Sequence, residues 1–361
     1  MRQRVRAWAI PATVGVLAGL LAGCARMTPP SPAADLSGAS AQPTPATSDA
    51  PAQPAGNGAI TIAFGGDSNV EGSAGSVLSR GMGKTGEVLK SADIALVNLE
   101  TAVADNRSGL VGQPKQFTFV APSSFLDLLA RTGVDAVSVA NNHGLDFGRP
   151  GLARTLAARK DSRPPMIGIG ADDTEAWRPW ETTVKGRKVV VFAASDVLDA
   201  GFDWAAGSGR SGMALTKTDQ EYARLRDAVR GARNRGPDDA VVVFLHAGVE
   251  RVVCPTPRQK QLANDLSADG ADIVAMSHAH VMQPSAIVGR TAVLYGLGNF
   301  IFSSGNPVSA RSGVVSVTLS QGQPPQIQLH PATIQGGVPV LDTGSAVAPA
   351  RARWENLGKT C

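Results

Sequence analysis

The sequence predicts an α/β fold in which helices cover the faces of a mainly parallel sheet, followed by a β-rich C-terminal part. Short, continuous apolar runs alternate with segments of helical periodicity, which is the pattern of strands buried on both faces and linked by helices. After about Gln283 the helical patterns give way to strands and turns, which could form a second sheet packed on the first. Roughly 300 residues from Ala59 to Cys361 are enough for one large domain with a sizeable core.

Six apolar runs predict the strands of the sheet. A turn at Lys185-Gly186 predicts a hairpin just before the fourth run, and Gly289-Arg290 predicts a hairpin tip in the C-terminal part. The six runs are residues 60–64, 94–97, 136–139, 189–194, 240–245 and 273–276.

Four segments predict the helices. Residues 220–230 carry apolar side chains at helical spacing, and Gly231 behind them predicts the end of that helix. Residues 257–269 begin with a proline, which is favourable in the first turn of a helix. The other two helical segments are 122–132 and 152–160.

The first residues have the pattern of a lipoprotein signal peptide. An arginine-rich start precedes an apolar run from Trp8 to Ala22, which is too short for a comfortable membrane span and contains Pro11. The run stops just before Cys24, where a lipoprotein signal peptidase would cleave. We expect residues 1–23 to be removed, and lipid at Cys24 to hold the protein on the outer face of the bacterial cell membrane. The alternative is a plain secretory signal with an incidental cysteine.

Residues 24–58 are rich in Pro, Ala, Ser and Gln, which predicts a disordered tether ahead of a folded domain at 59–361. The formal charge of +4 falls to about +1 once the three leader arginines are removed. No run of Lys and Arg with interleaved aromatics is present, so nucleic acid is not an expected partner.

Two cysteines remain besides Cys24. Disulfides persist outside the cytoplasm, where we expect Cys254 and Cys361 to lie. The sequence is compatible with a bridge between them and with two free thiols.

Polar side chains follow five of the six predicted strands. In open α/β sheets, ligands bind outside the carboxyl ends of the strands. Four of the five histidines of the chain fall in this set. Its members are Asp67, Asn69, Asn98, Glu100, Asn141, Asn142, His143, His246, Glu250, His278 and His280.

This set predicts a metal site. Imidazole nitrogen together with carboxylate oxygen suits Mn, Fe or Zn. One carboxylate can bridge two ions, which would clamp a phosphoryl oxygen and lower the pKa of a shared water. Such a site needs no nucleophilic side chain, and the sequence contains neither a Gly-x-Ser-x-Gly elbow nor a complete Walker-type phosphate loop. We expect one or two divalent transition-metal ions.

The order of these motifs resembles the CapA family of poly-γ-glutamate capsule proteins, which is similar in turn to the calcineurin-like metallophosphoesterases. The resemblance covers residues 60–305 and implies a metallophosphoesterase-like β-sandwich flanked by helices. It rests on Gly66-Asp67, Asn98-Leu99-Glu100, Asn141-Asn142-His143, His246-x-Gly248-x-Glu250, His278-x-His280 and Leu297-Gly298-Asn299-Phe300.

The resemblance also implies metal ligands. One ion would be bound by Asp67 and His280, the other by Asn142, His246 and His278, with Glu100 in the bridging position. Asn69 stands where metallophosphoesterases usually carry histidine, and Glu100 where they carry the shorter aspartate. A mononuclear or loosely bound site is therefore one reading of the sequence.

Other residues would support the chemistry. His143 would protonate the leaving oxygen or stabilise charge on the phosphoryl group. Lys115 could contact an anionic substrate, with a plain surface lysine as the alternative. The groups that would orient the ligands are Asn69, Asp146, Glu250 and Asn299.

Three functions agree with these features. The first is a surface-anchored CapA-type lipoprotein that acts in poly-γ-glutamate synthesis, export or anchoring and has a metal-dependent phosphoesterase-like site. It would act on an anionic polymer or a phosphoester, beside capsule-synthesis membrane proteins. The second is a non-catalytic capsule scaffold that holds a polyanion in the same cleft. The third is a solute-binding lipoprotein, which the tether suits and the histidine set does not.

Overall fold

The computed structural model describes residues 58–160 and 163–361. The predicted signal peptide at 1–23, Cys24 with its predicted lipid, and the predicted tether up to residue 57 lie outside the described residues. Among the helices that are described, none is long and apolar enough to cross a bilayer.

The strands follow the predicted runs and add several shorter ones. They are β1 (Ile60–Ser68), β2 (Ile94–Leu99), β3 (Ala102–Val103), β4 (Val120–Ala121), β5 (Ala136–Ser138), β6 (Met166–Ile167), β7 (Ile169–Gly170), β8 (Trp180–Val184), β9 (Arg187–Ser195), β10 (Gly212–Met213), β11 (Ala240–His246), β12 (Ile273–Ser277), β13 (Ser285–Val288), β14 (Thr291–Leu294), β15 (Arg311–Leu319), β16 (Gln326–Gln335) and β17 (Val338–Leu341).

The helices lie between these strands and at the C-terminus. Two of them begin with capping boxes, in which Thr218 pairs with Glu221 and Thr256 pairs with Gln259. The helices are α1 (Val77–Arg80), α2 (Gly83–Ser91), α3 (Ser124–Arg131), α4 (Gly148–Ala157), α5 (Asp173–Ala176), α6 (Asp219–Arg235), α7 (Pro257–Ala268) and α8 (Val347–Thr360).

Two large sheets contain most of the strands. The first has the spatial order β17-β16-β15-β1-β2-β5-β6, and the second has the order β13-β14-β12-β11-β9-β8. In the first sheet β1, β2, β5 and β6 are parallel, and in the second β9, β11, β12 and β14 are parallel. Antiparallel strands complete both sheets.

The two sheets pack face to face as a sandwich. Ile62 and Phe64 of β1 share one buried cluster with Val242 and Phe244 of β11. The rings of Phe64 and Phe244 meet edge to face, with centroids 5.8 Å apart. The alternate side chains of the same strands pack under the helices, with α2 and α3 on the first sheet and α6 and α7 on the second. Both faces of each central strand are therefore apolar, which explains the continuous runs in the sequence.

The predicted fold class is confirmed, with two differences in detail. The C-terminal strands do not form a sheet of their own: β13 and β14 extend the second sheet, and β15 to β17 extend the first. The chain also ends in α8, which no pattern had predicted, and which packs its buried Trp354 on the core.

The predicted end of α6 at Gly231 is wrong. The helix continues to Arg235, because the residues after Gly231 have tertiary partners. Ala232 is buried in the core between α6 and the second sheet. Arg233 donates to the carbonyl of Asp239 at 2.9 Å and forms an ion pair with Asp272. These contacts outweigh the weak helix propensity of one glycine.

Candidate metal centre

The carboxyl ends of parallel strands from both sheets meet at one edge of the sandwich. The side chains predicted as metal ligands and proton donor lie at these ends, and all are buried except His280, which is partly exposed. They are Asp67 at the end of β1, Glu100 after β2, Asn142 and His143 after β5, His246 at the end of β11, and His278 and His280 after β12. The structure brings this predicted set together.

Gly66 allows the main chain of β1 to approach the loop that contains Gly298. A Cβ atom at position 66 would lie 1.9 Å from the carbonyl oxygen of Gly298. The ladder between β1 and β2 shifts register at Gly65/Asp67, and the amide of Asp67 donates to the Gly298 carbonyl at 2.9 Å. The Gly-Asp and Leu-Gly-Asn-Phe motifs therefore fit each other, and their contact directs Asp67 into the centre.

The carboxylate of Asp67 is held on several sides. Its Oδ1 accepts from Nδ2 of Asn98 at 2.8 Å, and its Oδ2 accepts from the amide of His278 at 3.2 Å and lies 3.1 Å from Nδ1 of His280. The same Nδ1 of His280 lies 2.8 Å from Oδ1 of Asn299. Asn299, predicted to orient ligands, thus contacts a candidate ligand directly.

The side chain of Glu100 points into the cluster, and its amide donates to the carbonyl of Ser68 at 2.8 Å. Its side chain is 0% exposed, and neither carboxylate oxygen has a hydrogen-bond partner among the described residues. Nε2 of His246 is 3.6 Å, Nε2 of His280 3.7 Å and Nε2 of His143 4.0 Å from Oε1. Glu100, His278 and His280 each offer a ligand atom, and these atoms lie within 4.8 Å of one another.

His246 and Asn142 are linked across the two sheets. Nε2 of His246 lies 2.7 Å from Oδ1 of Asn142, and Nδ1 of the same ring lies 3.3 Å from Nδ2 of Asn98. Asn141 donates to Oδ1 of Asn98 at 3.1 Å, which fixes the amide between the sheets. The candidate ligands are therefore held by a buried amide network.

Two candidate ligands have a left-handed backbone. His278 has a φ of 99° and His280 a φ of 54°. Residues other than Gly and Asn rarely adopt such positive φ angles. Such strain persists only where the surrounding structure enforces it, and it clusters at functional sites. The bond from the amide of His278 to Asp67 helps to enforce it here.

His143 is paired with a buried carboxylate. Its Nδ1 lies 2.7 Å from Oδ2 of Asp146, and Asp146 is fully buried. The ring of Phe119 stacks on the imidazole at 4.1 Å between centroids. The Asp146 contact fixes the ring, so Nε2 faces Glu100.

The remaining predicted residues lie around this centre. Lys115 reaches the same turn and contacts Asp146 and Asp199 at 3.0 Å each. Asn69 is buried; its Oδ1 accepts from the amide of Glu71 at 3.0 Å and its Nδ2 has no partner in the described residues. Glu250 is exposed, and no hydrogen bond joins it to a candidate ligand within residues 58–160 and 163–361.

Burial and mutual charge shift the titration of the cluster. Burial and the charge of Asp67 raise the pKa of Glu100 well above its usual value. Burial lowers the pKa of His246 well below its usual value and, with the charge of His280, lowers that of His278 to about 4. Burial also opposes charge on His280, but Glu100 and the hydrogen bond to Asp67 raise its pKa to about 10. The carboxylates thus favour a positive charge between them.

These observations fit a divalent transition metal. Both oxygens of Glu100 and Nδ1 of His278 are buried with no hydrogen-bond partner in the part of the chain that the structure describes, which is costly unless a cation binds there. Burial lowers the pKa of His246 and of His278, so both rings are neutral near pH 7. Nδ1 of His278 is available for ligation, whereas Nε2 of His246 would exchange its contact with Asn142 for an ion. Mixed imidazole and carboxylate donors suit Mn, Fe or Zn.

The sequence did not indicate what three supporting residues do. Asn98 and Asn141 belong to the strand-end set, but no role was assigned to either of them. Phe119 had no signal for its role, because its contact with His143 joins parts of the chain that only the fold brings together.

A disulfide joins Cys254 to Cys361, which decides between the two alternatives left by the sequence. It attaches the end of α8 to the loop that follows β11. The same loop is held by Gln283, whose Nε2 donates to the carbonyl of Val252 at 2.7 Å. The segment that leads away from His246 is therefore fixed at several points.

Residues 61–304 match the family described as bacterial capsule synthesis protein PGA_cap. The chain belongs to this family. The range of the match includes every candidate ligand, and the resemblance to CapA proteins predicted from the motifs is confirmed.

Relatives within the family are similar over part of their length. The chain is 27% identical over 255 residues to the capsule biosynthesis protein CapA of Bacillus anthracis, covering 70% of this chain and 60% of that protein. It is 29% identical over 201 residues to the PGA biosynthesis protein CapA of Bacillus subtilis, covering 55% of this chain and 51% of that protein. The chain thus spans about half to three fifths of these relatives.

One solved structure resembles the fold more distantly. A novel phosphatase from Mycoplasma pneumoniae aligns with a TM-score of 0.47 and 11% identity, covering 81% of this chain and 96% of that one. A likeness at this level adds nothing to the family assignment.

Proposed function

We propose that the chain is a surface-anchored capsule protein of the CapA type that acts in poly-γ-glutamate synthesis, export or anchoring and has a metal-dependent phosphoesterase-like site. Family membership supports the capsule role, since two relatives are described as capsule or PGA biosynthesis proteins. The geometry at the strand ends supports the metal-dependent chemistry.

The observation that carries the proposal is the environment of Glu100. Both oxygens of this fully buried carboxylate lack a hydrogen bond among the described residues, and three imidazole Nε2 atoms lie 3.6 to 4.0 Å from Oε1, an arrangement that a bound cation would stabilise. An isolated buried charge costs several kcal/mol, and a bound cation would offset that cost.

In this proposal each side chain has a defined task. Asp67, His280 and Glu100 would hold one ion, and Asn142, His246 and His278, again with Glu100, would hold a second where two are bound. A bound ion would act as a Lewis acid on a phosphoryl oxygen and lower the pKa of water. In its protonated form His143 would donate the proton at Nε2 to the leaving oxygen while Asp146 accepts from Nδ1 and orients the ring; burial lowers the pKa of His143, and the contact with Asp146 opposes that shift. Asn98 and Asn299 keep Asp67 and His280 in place.

The first experiment is the metal content of the purified domain. We expect Mn, Fe or Zn at up to two ions per chain, reduced in His246→Ala. His330→Ala is the matched control, because His330 lies on β16 away from the cluster. Metal-free wild type that does not take up added Mn, Fe or Zn would exclude the proposed site.

The second experiment tests the chemistry. With Mn bound, hydrolysis of a generic phosphodiester is expected to fall about 10²–10⁴-fold in His143→Ala, because the proton donor is lost. The metal content is expected to stay at the wild-type level. Equal turnover in the two proteins would remove His143 from the mechanism.

One observation favours a second candidate function, a non-catalytic scaffold that holds a polyanion in the same cleft. Asn69 stands in the position where related phosphoesterases usually have histidine, and its Oδ1 is already used by the amide of Glu71. A site with one imidazole fewer would bind an anion through its metal and turn it over slowly. Bound metal, retained poly-γ-glutamate and no turnover across many esters would support this function.

The anchoring part of the proposal concerns Cys24. Lipid there would hold the protein on the outer face of the cell membrane, beside capsule-synthesis membrane proteins. Cell fractionation tests it: the wild type should be recovered with membranes and Cys24→Ser in the soluble fraction. Equal membrane recovery of both proteins would contradict a lipid at this cysteine.

A further inference from the structure

The segment 113–119 lies against the turn that follows β5. The amide of Gln113 donates to the carbonyl of Asp146 at 2.7 Å, and the amide of Phe119 donates to Oδ2 of the same residue at 2.6 Å. The ring of Phe119 stacks on His143 with an interplanar angle of 23°. Backbone, side-chain and ring contacts thus join this segment to one short turn.

Lys115 is the central contact of that segment. Its Nζ donates to the carbonyl of Asn142 and lies 3.0 Å from Oδ1 of Asp146 and 3.0 Å from Oδ2 of Asp199. The side chain is only 9% exposed, and the ammonium lies 5.4 Å from the ring centroid of Trp204. The ammonium group therefore makes one hydrogen bond and lies at ion-pair distance from two carboxylates. These two negative charges already balance its own, which disfavours contact with a substrate anion.

We propose that Lys115 is a positioning residue for the proposed metal-dependent site, and not a contact to substrate. It holds the main chain at Asn142 and the carboxylate of Asp146. Asp146 in turn fixes Nδ1 of His143, so that Nε2 faces Glu100 at 4.0 Å. The inference rests on the proposed function, because it assigns Lys115 a task within that site.

The burial of the two aspartates around Lys115 supports the same role. Asp146 is completely buried, so loss of Lys115 would remove the ammonium group that lies 3.0 Å from its Oδ1. Asp199 is 39% exposed and can be solvated. Removal of Lys115 would therefore displace the side chain of Asp146 and, through it, the ring of His143.

The first test does not need activity. In metal-free protein with ¹⁵N-labelled histidine, the Nδ1–H resonance of His143 is assigned by its loss in His143→Ala. We expect Lys115→Met to shift this resonance or broaden it beyond detection, while Lys84→Met, at an exposed lysine of α2, leaves it unchanged. A folded Lys115→Met protein with the wild-type resonance would overturn the proposal. If Lys115→Met does not fold, Lys115→Gln is judged by the same criterion.

The second test separates positioning from substrate contact. On a generic phosphodiester with Mn, Lys115→Met is expected to lower kcat about 10²-fold with KM within about twofold of wild type, since a misplaced proton donor slows the reaction without weakening binding. A raised KM with unchanged kcat would instead identify a substrate contact and overturn the inference. Absence of turnover in wild type would contradict the proposed catalytic function, and the resonance of His143 would still decide the role of Lys115.

Discussion

Glu100→Gln should make the metal-free domain more stable and the metal-loaded domain less stable than the wild type. The variant keeps the size of the side chain and removes its charge. In the wild type both carboxylate oxygens are fully buried without hydrogen bonds, and burial raises the pKa of the group. A neutral amide avoids most of the cost of burying that charge, so we expect a gain of about 1–3 kcal/mol without metal.

Bound metal reverses the sign of the stability difference between Glu100→Gln and the wild type. An ion at 100 times its Kd stabilises the wild type by about 2.7 kcal/mol, and a variant that has lost at least 100-fold in affinity gains less than about 0.5 kcal/mol. For a domain of this size, each kcal/mol moves Tm by about 2 °C. The expected metal-free Tm of the variant is therefore about 2–6 °C above that of the wild type, and its response to Mn is nearly absent.

The pH dependence gives an independent check. A carboxyl group whose pKa is raised by folding binds more protons in the folded state, so its contribution to stability falls as pH rises from its unfolded value near 4.5. The advantage of Glu100→Gln over the wild type should then be small at pH 5 and larger at pH 7.

The assay is thermal unfolding of chelator-treated protein, with and without Mn, at these two pH values. Glu87→Gln is the matched control, because Glu87 is exposed on α2. The reasoning fails if Glu100→Gln destabilises the metal-free domain, or if it gains as much stability from Mn as the wild type does.

Three further predictions concern the supports of the site. Gly66→Ala should lower the free energy of unfolding by about 3 kcal/mol and reduce metal uptake, because its Cβ would lie 1.9 Å from the carbonyl oxygen of Gly298. Gly305→Ala is the control: nothing lies within 4 Å of a Cβ there, so chemical denaturation and metal analysis should give wild-type values. Cys254→Ser should lower stability by about 2–5 kcal/mol in urea unfolding, and a reducing agent should lower the wild type to the same level and leave the variant unaffected. Affinity for Mn should increase from pH 6 to pH 9, because the ion displaces the proton that His280, with a pKa of about 10, holds without metal. Calorimetry in buffers of different ionisation enthalpy should detect the released proton. An affinity for Mn that does not change with pH would contradict this prediction.

Most of what the sequence could predict about the site concerned residues at the ends of strands. Asp67, Glu100, His246 and His278 each follow an apolar run, and parallel strands deliver their carboxyl ends to one edge. The convergence of these residues therefore followed from chain order and periodicity. The sandwich flanked by helices did not, because it was implied by the resemblance to a known family.

Contacts between distant parts of the chain could not be predicted in the same way. Lys115 had two readings from the sequence, since nothing near it in the chain shows that it is held between two aspartates. Gly231 is a helix stop by propensity, but Ala232 packs in the core and the helix continues. The pairing of Cys254 with Cys361 depends on where α8 docks, and no local pattern encodes that position.

The direction of β1 separates the start of the described domain from the candidate metal centre. The strand begins at Ile60 and reaches the cluster at Asp67, seven residues or about 23 Å further on. The first described residue, Gly58, therefore lies at the pole opposite the cluster, so a label attached there would report on the domain without touching the candidate ligands.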